Sequence, residues 1–139
     1  MDMKAVNRRV IEQFRSGGEI DGMHRERILL LTTTGARSGR AHTAPMMFVP
    51  DGDRLLVIAS NMGAENDPDW YRNVTAHPHV TVEVDGETFE AIGQALTGDE
   101  YQRLWASIKN SYPFFADHEA QVTRAIPVVR LTRLLGAGG

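Results

Sequence analysis

The chain has no cysteine among its 139 residues. That absence removes disulfides, thiolate nucleophiles, cysteine–zinc sites and iron–sulfur clusters together. It is compatible with a reducing compartment. A basic excess is also missing, since 15 Lys and Arg against 18 Asp and Glu give a formal net charge of -3. Domains that bind nucleic acid are usually basic overall, so no nucleic-acid partner is expected, and any anion site must be a local cluster. No stretch approaches the ~20 apolar residues needed to span a bilayer. Met1 to Phe14 carries charges throughout and has no apolar core of the kind a secretory leader needs. The expected location is the cytoplasm, with peripheral membrane contact left open. Repeats and low-complexity tracts are missing too.

What is present suits one globular domain spanning residues 1–139, with 42% hydrophobic and 24% charged residues. A core of this size folds alone but leaves thin pocket walls, so a homodimer that shares residues across a site stays open. Val6, Val10 and Phe14 recur at helical spacing between Arg8, Arg9, Glu12 and Arg15, and Gly17-Gly18 ends the run. Residues 1–24 thus read as an amphipathic helix and a linker. The helix packs its stripe on the core, or serves as a lid or a membrane-surface helix with its arginines toward lipid.

Ile28 to Thr34 is an apolar, β-branched run that reads as a buried strand. Ala44 to Val49 and Leu55 to Ala59 follow as two more strands, with a hairpin signal at Asp51-Gly52. Asp67-Pro68 predicts an N-cap and first position for a helix over Asp69 to Ala76. Val80, Val82 and Val84 alternate as in a half-buried strand, and Phe89 to Ala95 pairs back after Asp85-Gly86. Thr97-Gly-Asp-Glu100 reads as a capping box for a helix to about Lys109, with Leu104, Trp105 and Ile108 inward. A further short helix is predicted over Asp117 to Arg124, then a last strand over Pro127 to Leu131 and a flexible tail at 133–139. About six antiparallel strands with short peripheral helices predict an α+β barrel rather than a parallel sheet.

Three loops carry candidate chemistry. In Thr32 to His42, Gly35 and Gly39 permit a tight bend, while Ser38, Arg37, Arg40 and His42 supply donors and charge suited to a phosphate or carboxylate. The bend lacks the Gly-Lys-Ser/Thr ending of a P-loop, and alone it reads equally as a solvated hairpin. In Ser60 to Asn73, the polar Ser60, Asn61 and Asn73 can reach the edge of a planar ring, and Trp70 lines a site or fills the core. In Ser111 to His118, the aromatics of a proline loop either stack on a flat substrate or close the barrel end. The histidines lack paired metal-ligand spacing, so no metal site is expected. Ser60 has no evident histidine–acid partner in the sequence, which argues against a hydrolytic triad.

Taken in order, Leu29 to Gly39, Gly63 to Asn73, His77-Pro78, and Tyr112-Pro113 followed by Arg124-Ala-Ile-Pro127 resemble the deazaflavin-dependent nitroreductase and F-420H2-dependent quinone reductase family of actinobacteria. The likeness runs from about Arg25 to Leu131. It implies a split β-barrel of the FMN-binding type and coenzyme F-420, an 8-hydroxy-5-deazaflavin with a phosphodiester and an oligoglutamate tail. By the same resemblance Arg37, Ser38, Gly39, Arg40 and His42 face the phosphate and tail, and Pro45 and Met46 lie along the ring. Ala59, Ser60, Asn61, Met62 and Gly63 line the deazaflavin edge, with Trp70 and Asn73 helping to hold it.

The implied activity is hydride transfer from the reduced ring to a small-molecule acceptor: a quinone, a nitro compound or an activated C=C bond. Ser60 and Tyr112 are the candidate donors to that acceptor, and Met47, Tyr112, Phe115 and His118 its walls. Nitroimidazole-reducing relatives carry tyrosines where this chain has Met47, Phe115 and His118, and some carry lysine at Asn61, so acceptor preference and tail affinity are expected to differ. An FMN- or haem-binding split barrel, and a non-catalytic F-420 carrier, stand as alternatives because a basic bend serves them equally.

Overall fold

The computed structural model describes residues 3–18, 20 and 25–134. Helix α1 (Met3–Ser16) precedes strands β1 (Ile28–Thr34), β2 (Ala41–Asp51) and β3 (Arg54–Ile58). Helix α2 (Asp69–Ala76), strands β4 (His79–Val84) and β5 (Glu87–Ala95), helices α3 (Gly98–Ser111) and α4 (Phe114–Ala120), and strand β6 (Val128–Arg133) follow. All six strands pair antiparallel and close into a barrel in the order β1-β2-β3-β6-β5-β4. The predicted class, a split barrel with peripheral helices, is the observed one.

The alternation of side chains along a strand divides the apolar residues between the barrel interior and the helices outside it. On β1, Leu29 and Leu31 enter the interior with Val57, Val80, Val82, Val129 and Leu131. Their neighbours Ile28 and Leu30 face outward and are covered by Val10 and Phe14 of α1 together with Ile20. The amphipathic stripe of α1 is therefore spent on the barrel. On β3 and β6, Leu56, Ile58 and Val128 face out against Trp105, Ile108, Phe115 and Ile126, beneath α3 and α4. Continuous burial of β1, which the sequence shows as an unbroken apolar run, follows from being covered on both sides.

Four local expectations are corrected. Pro68, not Asp67, stands at the N-cap of α2, and the Asp67 carboxylate instead takes an ion pair from Arg124 at 2.7 Å. Thr97 caps α3 with extended backbone but makes no side-chain cap bond, and Glu100 pairs with Arg130 at 2.8 Å. In both cases a long-range arginine outcompetes the orphan N–H groups for the carboxylate. Helix α4 begins at Phe114, three residues before the predicted start, because Pro113 with φ -57 and ψ -23 already turns helically. Strand β2 is longer than predicted, since Ala41 to Thr43 pair with the end of β1. Of the expected tail, Arg133 closes β6 and the Leu134 N–H reaches Glu90 O at 2.9 Å, and residues 135–139 lie outside the described residues. Most of the expected linker, 17–24, lies outside them as well.

One end of the barrel carries the bend between β1 and β2, the exit of β3 and the entry to β6. The other carries the hairpins at 51–54 and 84–87. At the first end Ala59 N–H donates to Pro127 O at 2.9 Å, which ties the exit of β3 to the approach of β6. Helix α2 is pressed onto β5 at Gly93, where an added Cβ would stand 2.7 Å from Val74 Cγ1. Gly93→Ala is expected to push α2 outward and cost roughly 1–3 kcal/mol, as overpacking of a core does. Denaturant unfolding should show that loss, and Val74→Ala in the same chain should restore most of it. An unchanged midpoint in the single variant would remove the close approach as a constraint.

Candidate functional site

The bend after β1 is built by its own backbone. Gly35 N–H donates to Arg40 O at 2.8 Å, and Gly39 N–H donates to Gly35 O at 3.0 Å. Gly39 has φ +70, the left-handed region that favours glycine. Ser38 Oγ accepts from Arg40 N–H at 3.2 Å and lies 3.3 Å from His42 Nε2. A Cβ on Gly35 would meet Ser38 Oγ at 2.4 Å, so this glycine lets the hydroxyl fold inward. Arg37 and Arg40 are exposed on the rim. Neither guanidinium has a carboxylate partner among the described residues, whereas Arg15, Arg72, Arg124, Arg130 and Arg133 all do. The bend is thus a concentrated, uncompensated positive edge on an acidic chain.

Helix α2 supplies the bracket that holds the bend. Asn73 is buried, its Oδ1 accepting from Ala36 N–H at 3.0 Å and its Nδ2 donating to the buried Thr33 Oγ1 at 3.0 Å. Both ends of the amide are engaged inside the protein, so Asn73 braces the bend. Trp70, one turn earlier, is half-buried against the barrel-interior cluster and meets Tyr71 edge-on at 6.3 Å.

The loop after β3 turns through three left-handed residues, Asn61 (φ 50), Met62 (φ 54) and Gly63 (φ 83). Two of them carry side chains, a conformation that costs energy and persists only where surroundings enforce it. Arg124 enforces it. Its Nη1 donates to Ala59 O at 3.2 Å and Asp67 Oδ1 at 2.7 Å. Its Nη2 donates to Ser60 O and Ala64 O, both at 3.0 Å, and its Nε to Ala64 O at 3.2 Å. Thr123 N–H and Oγ1 donate to Glu65 beside it. Asn61 Nδ2 donates to Asn66 O at 2.9 Å, and Met62 is 76% exposed. Sequence reading assigned no role to Arg124, because an arginine before a buried strand has no local signature.

The third loop joins the second. Ser60 is buried, and its Oγ stands 3.3 Å from His118 Nδ1 on α4. The histidine partner that the sequence did not reveal is therefore 58 residues away. Tyr112 is half-buried at the C-cap of α3, its N–H donating to Ile108 O at 2.8 Å. Phe115, expected on a substrate wall, instead packs into the core against Trp105 at 6.2 Å, and the exposed aromatic of this turn is Phe114. Helix α4 is moored to α3 by Glu119, which accepts from Lys109 at 2.9 Å and from Trp105 Nε1. Lys109 first, and the indole next, hold the Glu119 carboxyl below its ordinary range. On β2, His42 is exposed and Pro45, Met46 and Met47 are half-buried, with Met46 packing toward the interior cluster and Met47 toward the cluster under α3.

The structure thus gathers the basic bend, the Ser60 loop and the α4 turn on well-braced backbone. A separate cavity lined by Phe48, Leu55, Val84, Phe89 and Arg133 belongs to the hairpin end and shares no residue with them. Unpaired guanidiniums beside backbone N–H groups match an anionic phosphodiester or carboxylate arm, and no metal-binding cluster accompanies them among the described residues. Fold and site together define a split-barrel protein of the kind that takes a flat redox coenzyme with an anionic arm.

The model of the F420H(2)-dependent quinone reductase family matches residues 5–133. An F420H(2)-dependent quinone reductase of Mycobacterium tuberculosis is 34% identical over 108 residues, 76% of this chain and 72% of that protein. Among solved structures, an F420-H2 dependent reductase superposes with a TM-score of 0.69 at 33% identity, covering 79% of this chain and 99% of that one. A domain-swapped dimer superposes with a TM-score of 0.71 at 32% identity, covering 89% of this chain and 95% of the other. The haem storage protein HutZ of Vibrio cholerae, at 18% identity and TM-score 0.61 over 91% of this chain and 89% of its own, shares the fold. The chain belongs to the F420H(2)-dependent quinone reductase family, and is an oxidoreductase of coenzyme F-420.

Arg124→Gln would leave several of the loop carbonyls and the Asp67 carboxylate without their charged partner. A loss of roughly 1–3 kcal/mol is expected, the scale of hydrogen bonds to a charged group. Chemical denaturation, with hydrogen exchange at Asn61 to Ala64, measures it. Wild-type stability and unchanged exchange would rule out the clamp.

Proposed function

We propose that this protein catalyses reduction of a quinone or another electron-poor acceptor, including nitro compounds and activated C=C bonds, at the barrel end bounded by the three loops. The uncompensated Arg37 and Arg40 at a backbone-braced bend carry this reading. Bound reduced F-420 supplies the two-electron, hydride-donating chemistry. Arg37, Arg40, His42, Ser38 and the backbone at Gly39 hold its anionic arm by charge-assisted bonds. Pro45 and Met46 support the flat of the ring, and Ala59 to Gly63 meet its edge with Trp70 behind.

Orientation is the main contribution of the chain itself. The Arg124 clamp and the Asn73 bracket fix two loops before any ligand arrives, so little ordering remains to be done on binding. Ser60 and Tyr112 offer hydroxyl donors to the acceptor oxygen, where negative charge develops as the acceptor is reduced. Met47, Tyr112 and His118, with Phe114 exposed beside them, bound the acceptor. The domain-swapped relative supports a homodimeric state. No helix among the described residues is long and apolar enough to cross a membrane.

Arg37→Ala with Arg40→Ala is expected to weaken F-420 binding by about 1–3 kcal/mol, the scale of charged hydrogen bonds. A fluorescence titration with F-420 and FMN in parallel reads this directly. Wild-type affinity in the double variant would reject the placement of the arm, and tight FMN binding without F-420 binding would reject the coenzyme. Tyr112→Phe is expected to lower kcat while leaving the coenzyme Kd unchanged. Intact turnover with menadione would take Tyr112 out of the donor role.

A further inference from the structure

Three polar side chains are buried among the described residues: Thr33, Ser60 and Asn73. Thr33 and Asn73 satisfy each other. Ser60 has a single side-chain partner, His118 Nδ1 at 3.3 Å. Buried hydroxyls are nearly always partnered, and the chain meets this requirement with an imidazole rather than with an amide or a carbonyl. The imidazole is only half-buried, and no contact to its Nε2 occurs among the described residues. One ring nitrogen therefore faces the buried hydroxyl while the other is left for water.

The ring is held by its neighbours. Phe114 and Phe115 meet it edge-on at 5.9 and 6.0 Å. Glu119, the next residue, moors α4 to Lys109 and Trp105, and Arg124 holds the carbonyl of Ser60 itself. The neighbouring charges are matched: Glu119 by Lys109, and Arg124 by Asp67. On its own helix Asp117 is exposed. A histidine kept only to fill space needs neither this alignment nor a free nitrogen.

We propose that His118 is a positioning and proton-relay residue that delivers, through Ser60, the proton that completes reduction of the acceptor. The proposal rests on the reading that the acceptor is reduced beside Ser60. A quinone that has taken up a hydride is an anion on oxygen and needs one proton to become quinol. Ser60 Oγ–H then passes its proton to that oxygen as an O–H bond forms. His118 Nδ1–H gives its proton to Ser60 Oγ, and water returns a proton at Nε2. The balance is quinone plus hydride plus one proton to quinol, with no further reductant. Neutral imidazole is an apt carrier because its two nitrogens accept on one side and donate on the other.

Reduced F-420 and menadione provide the turnover assay, F-420 fluorescence the binding assay, and imidazole 15N shifts of the coenzyme-free protein a readout independent of activity. His118→Gln, which keeps a hydrogen-bonding side chain and cannot carry a proton, is expected to bind F-420 within about twofold of wild type. Its kcat should fall by roughly 100-fold, the lower end of the range for acid–base catalysis. His118→Ala should fall likewise and regain rate as free imidazole is added. Ser60→Ala should move the Nδ1 resonance of His118 in the coenzyme-free protein. Wild-type turnover in His118→Gln, absence of imidazole rescue in a folded His118→Ala, or an unmoved Nδ1 resonance overturns the relay. Where wild-type protein itself fails to bind F-420 or to reduce menadione, the underlying reading falls, and the relay with it.

Discussion

The Arg124 guanidinium directs five contacts onto four oxygens: the carbonyls of Ala59, Ser60 and Ala64 and the carboxylate of Asp67. Everything at the working end of the barrel depends on that arrangement. A loop leaving a buried strand has carbonyls that cannot all pair along the sheet, and burial without partners is costly. A planar cation with fixed donors satisfies them together and so selects one loop conformation. The left-handed Asn61 and Met62 are tolerated because the loop is held on both sides of them. Ser60, at the root of the loop, is thereby fixed in a buried position facing α4.

A second bracket works by the same physics at smaller scale. Asn73 joins the backbone of the basic bend to a buried threonine on β1, and α2 can deliver it only because Gly93 lets Val74 come close to β5. The two brackets differ in charge for a reason. The Ser60 loop contains Asp67, so a cation can enter it paired. The bend already carries Arg37 and Arg40, and a neutral amide organises it without adding to or cancelling their charge. What remains exposed is a positive rim with no carboxylate partner among the described residues. That is the electrostatic condition for taking the anionic arm of a coenzyme on a protein of net charge -3.

The chemical economy of the site follows from its family. A coenzyme that brings its own electrons relieves the chain of supplying a nucleophile or a metal. The side chains then have two tasks, orientation and proton management. Rigid loops serve the first. For the second the groups proposed are the hydroxyls of Ser60 and Tyr112 and the His118 imidazole, and the absence of cysteine from all 139 residues leaves no thiol to compete for the reductant or the acceptor.

The barrel was largely legible in the residues because its signals are local. The unbroken run Ile28 to Thr34, the alternation at Val80, Val82 and Val84, and the glycine turns each follow from neighbours one or two positions apart. The order of the family motifs added the coenzyme, and Gly35 and Gly39 announced the bend. The roles of Asp67 and Glu100 are not legible in the sequence, because a carboxylate looks the same whether it caps a helix or meets a distant arginine. The resemblance implies a wall position for Phe115, whereas the helix that begins at Phe114 turns Phe115 into the core and leaves Phe114 exposed. By itself the sequence determined the strands and the positive bend, since these rest on composition and short-range spacing. Only the tertiary structure decided that Arg124 clamps the loop, that Asn73 braces the bend and that His118 meets Ser60. Those pairings join residues 37 to 65 positions apart, and chain closure, not local propensity, brings them together.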